Sequence, residues 1–287
     1  MDTGSLPPKP PQWRTPPRPA PWVRSLSVLC LCLAFFSCQP VEYSPYEVRR
    51  TAQSPTLTME NVGRIAEIEK AVPGDGFTFA IIADTHSAYD ELNLAVVALN
   101  ADTSIRFLIV AGDITQYGLQ KEYLWFLGIL SHLRMPFVSV IGNHDALASG
   151  VSVYQRRLGA LNYSFAFKGI KFVCINDNIW EFPFAVPDFS WLEGELATAT
   201  DNQKLYVVSH IPPFGDQFDE PNKRRYVDLM ARYHVALSIH GHTHHYSYDP
   251  SPYGDGVPYL VADKIQDRNY LKVTVTPKGP LIERVFY

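Results

Sequence analysis

The residues with chemical reach fall into five short groups. Asp84-Thr85-His86 sets a carboxylate and an imidazole two positions apart, so that both point to the same side of an extended chain. Gly112-Asp113 follows; the glycine permits close backbone approach, and a carboxylate there has room to sit between two metal ions. Gly142-Asn143-His144-Asp145 places an amide, an imidazole and a carboxylate in consecutive positions, and Gly241-His242-Thr243-His244 again spaces two imidazoles by two. His210, the fifth group, stands between the apolar run LYVVS and Ile211-Pro212-Pro213. Singly, Asp84, His86 or His210 reads as a cap or a satisfied core residue. Together they read as metal-capable side chains.

Apolar patterning around these groups is what would bring them together. FTFAIIAD, RFLIVAGD, FVSVIGNHD, IKFVCIND, KLYVVSH and VALSIHGH are short runs rich in Val, Ile and Phe, with helix-like stretches at 90–100, 119–134, 150–158, 188–198 and 222–233 between them. Continuous apolar strands joined by helices predict an α/β domain with a largely parallel sheet buried on both faces. Nearly every run ends in a polar residue: Asp84, Asp113, Asn143, Asp177, His210 and His242. Ligands in open α/β sheets bind beyond the carboxyl ends of the strands, so these ends are expected to converge on one pocket. After His245 the texture changes to Gly/Pro turns and further strands (VPYLVAD, YLKVTVT, LIERVFY) without clear helices.

At 46% apolar, 19% charged and 13% aromatic, the 287-residue chain is globular, and wholesale disorder is excluded. A net charge of −4 argues against a broad basic surface, so no extended nucleic acid is expected as a partner. Eight of the 23 prolines fall between Pro7 and Pro21, in a low-complexity start. Lys9, Arg14, Arg18 and Arg24 oppose the single acid Asp2 there, and the eleven residues Leu26 to Phe36 are then apolar except for Ser27. That run is about half the roughly 20 residues a membrane-spanning helix needs, and it reads as the core of an export signal. The expected organisation is a leader over 1–38, a tether over 39–75 and one domain over 76–287. Within the tether, Met59, Val62, Ile65 and Ile68 recur every three residues and predict a short helix capped by Thr58. Phe35-Phe36-Ser37-Cys38-Gln39 resembles a relaxed bacterial lipobox, which implies a lipidated Cys38 and a membrane-anchored lipoprotein of the bacterial cell envelope. An ordinary cleaved signal, giving a periplasmic or secreted protein, and an uncleaved anchor are the other readings. The leader is long, and a start at a codon such as that of Val23 would shorten it. Outside the leader the one cysteine is Cys174, read as a small buried hydrophobe with no internal disulfide to make.

In their order, D-x-H, GD, GNHD, a lone His after a strand and GHxH, the five groups resemble the calcineurin-like metallophosphoesterase family over roughly residues 77–246. The resemblance implies a four-layer α/β sandwich, two mixed β-sheets flanked by helices, with a dinuclear metal site at the carboxyl ends of the strands. It implies one ion held by Asp84, His86 and His244, a second held by Asn143, His210 and His242, and Asp113 bridging both. His144 matches the family's non-ligand histidine facing the phosphoryl group, with Asp145 orienting it. Imidazole, carboxylate and amide oxygen suit Mn, Fe, Zn or Ni, and the lack of thiolates disfavours a structural zinc site. Two ions roughly 3.5–4 Å apart clamp the attacking and leaving oxygens of an in-line displacement. The implied activity is hydrolysis of a small phosphomonoester or phosphodiester by a metal-bridging hydroxide, with His144 as acid or charge stabiliser and no phosphoenzyme.

Purple acid phosphatases, a branch of this superfamily, carry a tyrosine three residues after the bridging Asp. Gln116 stands there, with Tyr117 one place late, so a tyrosinate–iron site is not expected and the chain looks closer to small bacterial phosphodiesterase-like members. The segments Ile179–Asp188 and Pro212–Pro221 are candidate substrate walls, in which Trp180, Phe182 and Phe184 either stack on a base or sugar or pack beneath the loop. His240 reads as packed or supporting, His245 as a rim residue, His132 and His234 as surface residues, and Asp177 as a loop residue or substrate contact. A cyclic-nucleotide or other nucleotide phosphodiesterase or nuclease with the same centre, and a non-catalytic binding module, are the alternatives. The sequence leaves the oligomeric state open.

Overall fold

The computed structural model describes Met1, residues 56–182 and residues 185–287. Residues 2–55, which hold the rest of the leader with Cys38 and the start of the tether, and residues 183–184, which include Phe184, lie outside the described residues.

Strand β1 (Phe77–Ile82) is buried along its whole length, and its two faces serve different cores. Phe77, Phe79 and Ile81 enter one apolar cluster while Ala80 and Ile82 enter another, as the two-residue period of a strand dictates. β2 (Ile105–Val110) and β3 (Phe137–Ser139) extend β1 in parallel, and β10 (Asn269–Thr276) and β11 (Gly279–Phe286) add antiparallel on its other side, giving the order β11-β10-β1-β2-β3. A second sheet runs β4-β5-β6-β7-β9-β8, from β4 (Tyr163–Phe167), β5 (Ile170–Cys174), β6 (Lys204–Val208), β7 (Leu237–His240), β9 (Tyr259–Val261) and β8 (Ser247–Asp249). Its inner strands are parallel and its two edge strands antiparallel.

The inner faces meet in an aromatic core. Phe79 stacks on Phe107 at 5.4 Å and meets Phe172 edge-on at 5.5 Å, so rings from both sheets interlock. On the outer face of the first sheet lie α2 (Tyr89–Ala101), α3 (Gln120–Leu130) and α4 (Gly150–Arg157), and on that of the second lie α5 (Phe189–Ala197) and α6 (Glu220–Arg232). The architecture is therefore helix, sheet, sheet, helix. The single largely parallel sheet suggested by the apolar runs is corrected to two mixed sheets. A strand buried on both faces looks the same in sequence whether a helix or a second sheet covers it.

Helix α1 (Leu57–Ala71) also departs from the sequence reading. Thr56, not Thr58, is its N-cap, and Met59 faces solvent. Ile65 and Val72, with Val62 and Ile68 beside them, enter the core between the sheets. Its backbone and side chains are tied to the domain as well: the Thr58 N–H donates to Leu158 O at 2.9 Å and the Lys168 N–H to Glu69 Oε1 at 2.7 Å. From residue 56 onward the segment read as a tether is thus part of the domain. Cys174 is buried and free, and burial pushes its thiol up to about 12.

Candidate metal centre

All seven expected donors sit just past strand ends at one edge of the sandwich. Asp84 and His86 follow β1, Asp113 follows β2 and Asn143 lies beyond β3, while His210 follows β6 and His242 and His244 follow β7. The centre therefore bridges the two sheets. Backbone bonds fix the turns against one another: the Asp84 N–H donates to Gly112 O at 3.1 Å, His86 N–H to Asp113 O at 3.0 Å, and Gly241 N–H to His210 O at 3.0 Å. The His242 N–H donates to Asp84 Oδ2 at 3.0 Å, across the gap between the sheets.

Two glycines make this convergence possible. A Cβ on Gly112, which has φ +92°, would run into the His210 ring, and one on Gly142 would run into Asp113. Five of the donors themselves occupy the left-handed region: Asp84 at φ 51°, His86 at 44°, Asp113 at 52°, His242 at 70° and His244 at 62°. Such conformations cost on the order of 1–3 kcal/mol each for a non-glycine residue and persist where the surroundings over-determine them.

The side chains form two sets that share Asp113. Ligand atoms of Asp84, His86, Asp113 and His244 all lie within 4.8 Å of one another. Near them, His210 Nε2 is 3.3 Å from Asp113 Oδ2 and 3.2 Å from Asn143 Oδ1, and His242 Nδ1 is 3.1 Å from that same amide oxygen. Asp84 and Asp113 are buried, and the basic groups beside them are the imidazoles of His86, His210 and His244, of which His86 is pushed down by its burial. Burial works against the Asp113 charge, but His210, His86 and His144 outweigh it and hold the carboxyl below its ordinary range. Burial lowers His210, and Asp113 and Asp84 overcome it and push the imidazole well up. The bond to Asp84 raises His244. The pocket thus favours positive charge, and its donors of imidazole nitrogen, carboxylate and amide oxygen fit transition-metal ions.

The other ring nitrogens are anchored on oxygen. His210 Nδ1–H donates to Ala111 O at 2.7 Å and His86 Nδ1–H to Thr115 O at 3.3 Å, leaving Nε2 of each ring for the pocket. His144 stays outside both sets, its ring edge-on to His86 at 4.7 Å between centroids. Its Nδ1–H donates to Gln116 O at 2.9 Å, and its backbone N–H donates to Asp113 Oδ1 at 3.0 Å.

Asp145 departs from its expected role of orienting His144. Its two oxygens are taken by the N–H groups of Ile114, Thr115 and Gly142 and by the Thr115 hydroxyl, so it ties the Asp113 turn to the Asn143 turn instead. Asp177 is a loop residue, as read, but it is fully buried and not an open contact, and it accepts from the N–H groups of His210 and Ile211. His240 is packed, between Ser209 Oγ at 3.1 Å and Ser238 Oγ at 2.8 Å, and burial pushes it down to about 3. His132, His234 and His245 are exposed. Trp180 is exposed, with its N–H donating to Gln217 Oε1 at 3.2 Å, whereas Phe182 packs against the core. Two neighbours of the centre escaped the sequence reading. Gln116 stood out only as a departure at a motif position, and Asp216, whose Oδ1 lies 3.0 Å from His242 Nε2, carried no signal beyond its place in an acidic loop.

Residues 77–246 match the calcineurin-like phosphoesterase family, and the chain belongs to it. It is 26% identical over 161 residues, 47% of this chain and 57% of that one, to a "Probable cyclic nucleotide phosphodiesterase" of Rhodopseudomonas palustris. A protein of the same description in Xenorhabdus bovienii is 32% identical over 172 residues, 56% of this chain and 70% of that one. A "Glycerophosphodiester phosphodiesterase" of Enterobacter lignolyticus is 26% identical over 156 residues, 48% and 55% of the two chains. The chain thus spans little more than half the length of the first and third of these relatives. Among solved structures, a dimetal phosphatase of Danio rerio aligns with TM-score 0.59 at 15% identity, covering 74% of this chain and 99% of that one. At that identity the likeness is one of fold. Two mixed sheets flanked by helices carry an Asp/His cluster at their shared edge, where a metal ion could be held.

Proposed function

We propose that the enzyme hydrolyses a small phosphodiester. The observation that carries this reading is the charge of the walls beside the centre. Ile179–Asp188 and Pro212–Pro221 contain no Lys or Arg, and they carry Glu181, Asp188, Asp216, Asp219 and Glu220. A phosphomonoester dianion approaching such walls meets more repulsion, only partly offset by Arg225 in the Trp180 cavity and by Lys264 near His244, than a diester, which brings one negative charge and a second substituent for the exposed Trp180 ring. The names of the three relatives, all phosphodiesterases, support the same choice.

Asp84, His86, His244 and Asp113 would hold one ion, and Asn143, His210, His242 and the same Asp113 a second. Bound there, the ions supply Lewis acidity toward the phosphoryl oxygens and lower the pKa of water toward about 7. With the Nδ1–H of His144 committed to Gln116 O, its Nε2 is the nitrogen free to face the phosphoryl group. As an imidazolium, with both nitrogens protonated, the ring donates Nε2–H to a phosphoryl oxygen or passes that proton to the leaving oxygen, which leaves the neutral ring with Nδ1–H on Gln116 O. The bond from the His144 N–H to Asp113 fixes this imidazole relative to the shared carboxylate, so acid and metal donors keep one geometry. Residues 1–38 support an exported, envelope-anchored enzyme, and retention of membrane attachment in Cys38→Ser would count against that part.

The test is turnover of bis(p-nitrophenyl) phosphate against p-nitrophenyl phosphate by the metal-stripped protein reloaded with Mn, Zn, Ni or Fe. A metal-restored rate on the diester at least about tenfold above that on the monoester, 1.4 kcal/mol in barrier, is expected. A faster monoester rate overturns the diester reading. Silence on both, with two ions bound, points instead to an enzyme of narrow substrate range or to a binding module.

A further inference from the structure

Three of the four histidine donors have their second ring nitrogen on an oxygen, but the oxygens differ in kind. For His86 and His210 the acceptors are the backbone carbonyls of Thr115 and Ala111, next to other donor turns and deep in the fold. For His242 the acceptor is a side-chain carboxylate, Asp216 Oδ1, at 3.0 Å from Nε2. His242 Nδ1 faces Asn143 Oδ1 at 3.1 Å, so the ring is held with one nitrogen toward the second donor set and the other toward Asp216.

Asp216 belongs to neither sheet. It lies on the loop between β6 and α6, where Gly215 folds back with its N–H on Pro212 O at 2.7 Å. The next residue, Gln217, is buried and accepts from the Trp180 N–H on the opposite wall at 3.2 Å. One short segment thus touches a metal donor with one side chain and the substrate wall with the next.

We infer that Asp216 is a positioning residue for the second ion: its carboxylate takes the Nε2–H of His242, fixes the tautomer with Nδ1 free to ligate, and links the pose of the 212–219 loop to occupancy of that site. A carboxylate behind a ligating imidazole both orients the ring and raises its basicity, and loss of such a partner typically lowers metal affinity by 10–100-fold. The inference rests on the two-set reading of the centre given above. It concerns a residue outside all five sequence groups.

The test titrates metal-stripped wild type, Asp216→Ala and Asp216→Asn, each as the full chain, with Zn²⁺ against a chromophoric chelator. Imidazole ¹⁵N shifts report the His242 tautomer alongside. Wild type is expected to bind two ions. Asp216→Ala should weaken one affinity by about 10–100-fold and leave the other in place, with the His242 tautomer no longer fixed. Asp216→Asn keeps an oxygen that accepts from Nε2–H, so it should hold the tautomer and lose less affinity. The Asp216 side chain is 64% exposed, so both variants are expected to fold. Two unchanged affinities in Asp216→Ala, an equal loss at both sites, or an undisturbed tautomer overturns the inference while the two-set reading stands. A wild type that binds fewer than two ions overturns that reading and the inference with it.

Discussion

Replacing Asp145 with alanine is the sharpest test of how the centre is held together. The side chain is fully buried, and its oxygens accept from Ile114 N at 3.1 Å, Thr115 N at 2.8 Å, Thr115 Oγ1 at 2.9 Å and Gly142 N at 2.9 Å. Alanine leaves three backbone donors facing an apolar methyl, and the hydroxyl is free to turn elsewhere. A buried donor without an acceptor costs about 1–3 kcal/mol, which sets the gross loss at roughly 3–9 kcal/mol. Burial and the Asp113 charge push the Asp145 carboxyl up, so removing it relieves some repulsion and works the other way. The net expectation is about 3–5 kcal/mol, a large share of the 5–15 kcal/mol a domain has in hand. At roughly 2–4 °C per kcal/mol for a domain of this size, the melting temperature of the metal-stripped protein should fall by about 6–20 °C by circular dichroism. Asp145→Asn, which retains one acceptor oxygen and turns an amide N–H toward the other donors, should fall in between. A drop under about 3 °C in Asp145→Ala would refute the account of Asp145 as the tie between the Asp113 and Asn143 turns.

Other expectations separate the roles around it. His144→Ala should cut turnover by about 10²–10⁴-fold while metal content stays at two per chain, because the ring stands outside both donor sets; lost metal would place it among the ligands. Asp113→Asn should lower metal content measured by atomic emission, and an unchanged content would contradict a shared carboxylate. Asp113 and Asp84 raise His210 and His244 above the usual imidazole value of 6.5, so in metal-free protein these rings keep their protons to higher pH. Metal must displace those protons. Apparent Zn²⁺ affinity should therefore climb between about pH 6 and pH 9, and a flat profile would count against the protonated rings being donors.

Much of this site was legible because donor type and strand ends coincide. Asp84, Asp113, His210 and His242 each close an apolar run, and a run that ends in a metal-capable group announces where that group will sit. What the sequence hid is what acts through the main chain. Asp145 and Asp177 bind backbone N–H groups, and every residue but proline has one, so no partner type could be read for them. The His144 ring rests on the Gln116 carbonyl, which any residue there would supply. Asp216 sits in a loop where an acid looks like ordinary solvated charge until the fold brings His242 to it. The same limit blurred the fold: β4 and β8 are short edge strands, and Phe77 and Ala80 look alike as apolar letters although they face different cores.

Four of the proposed donors, Asp84, His86, Asp113 and Asn143, stand on turns of one sheet, while His210, His242 and His244 stand on turns of the other. Ions bound between them are therefore fasteners across a seam as well as reagents. At a free metal concentration 100 times its dissociation constant, each such ion adds about 2.7 kcal/mol to the folded state. A cell short of metal would lose this protein twice, first as catalyst and then as molecule, as the two halves of the sandwich part more often and proteases find the opening.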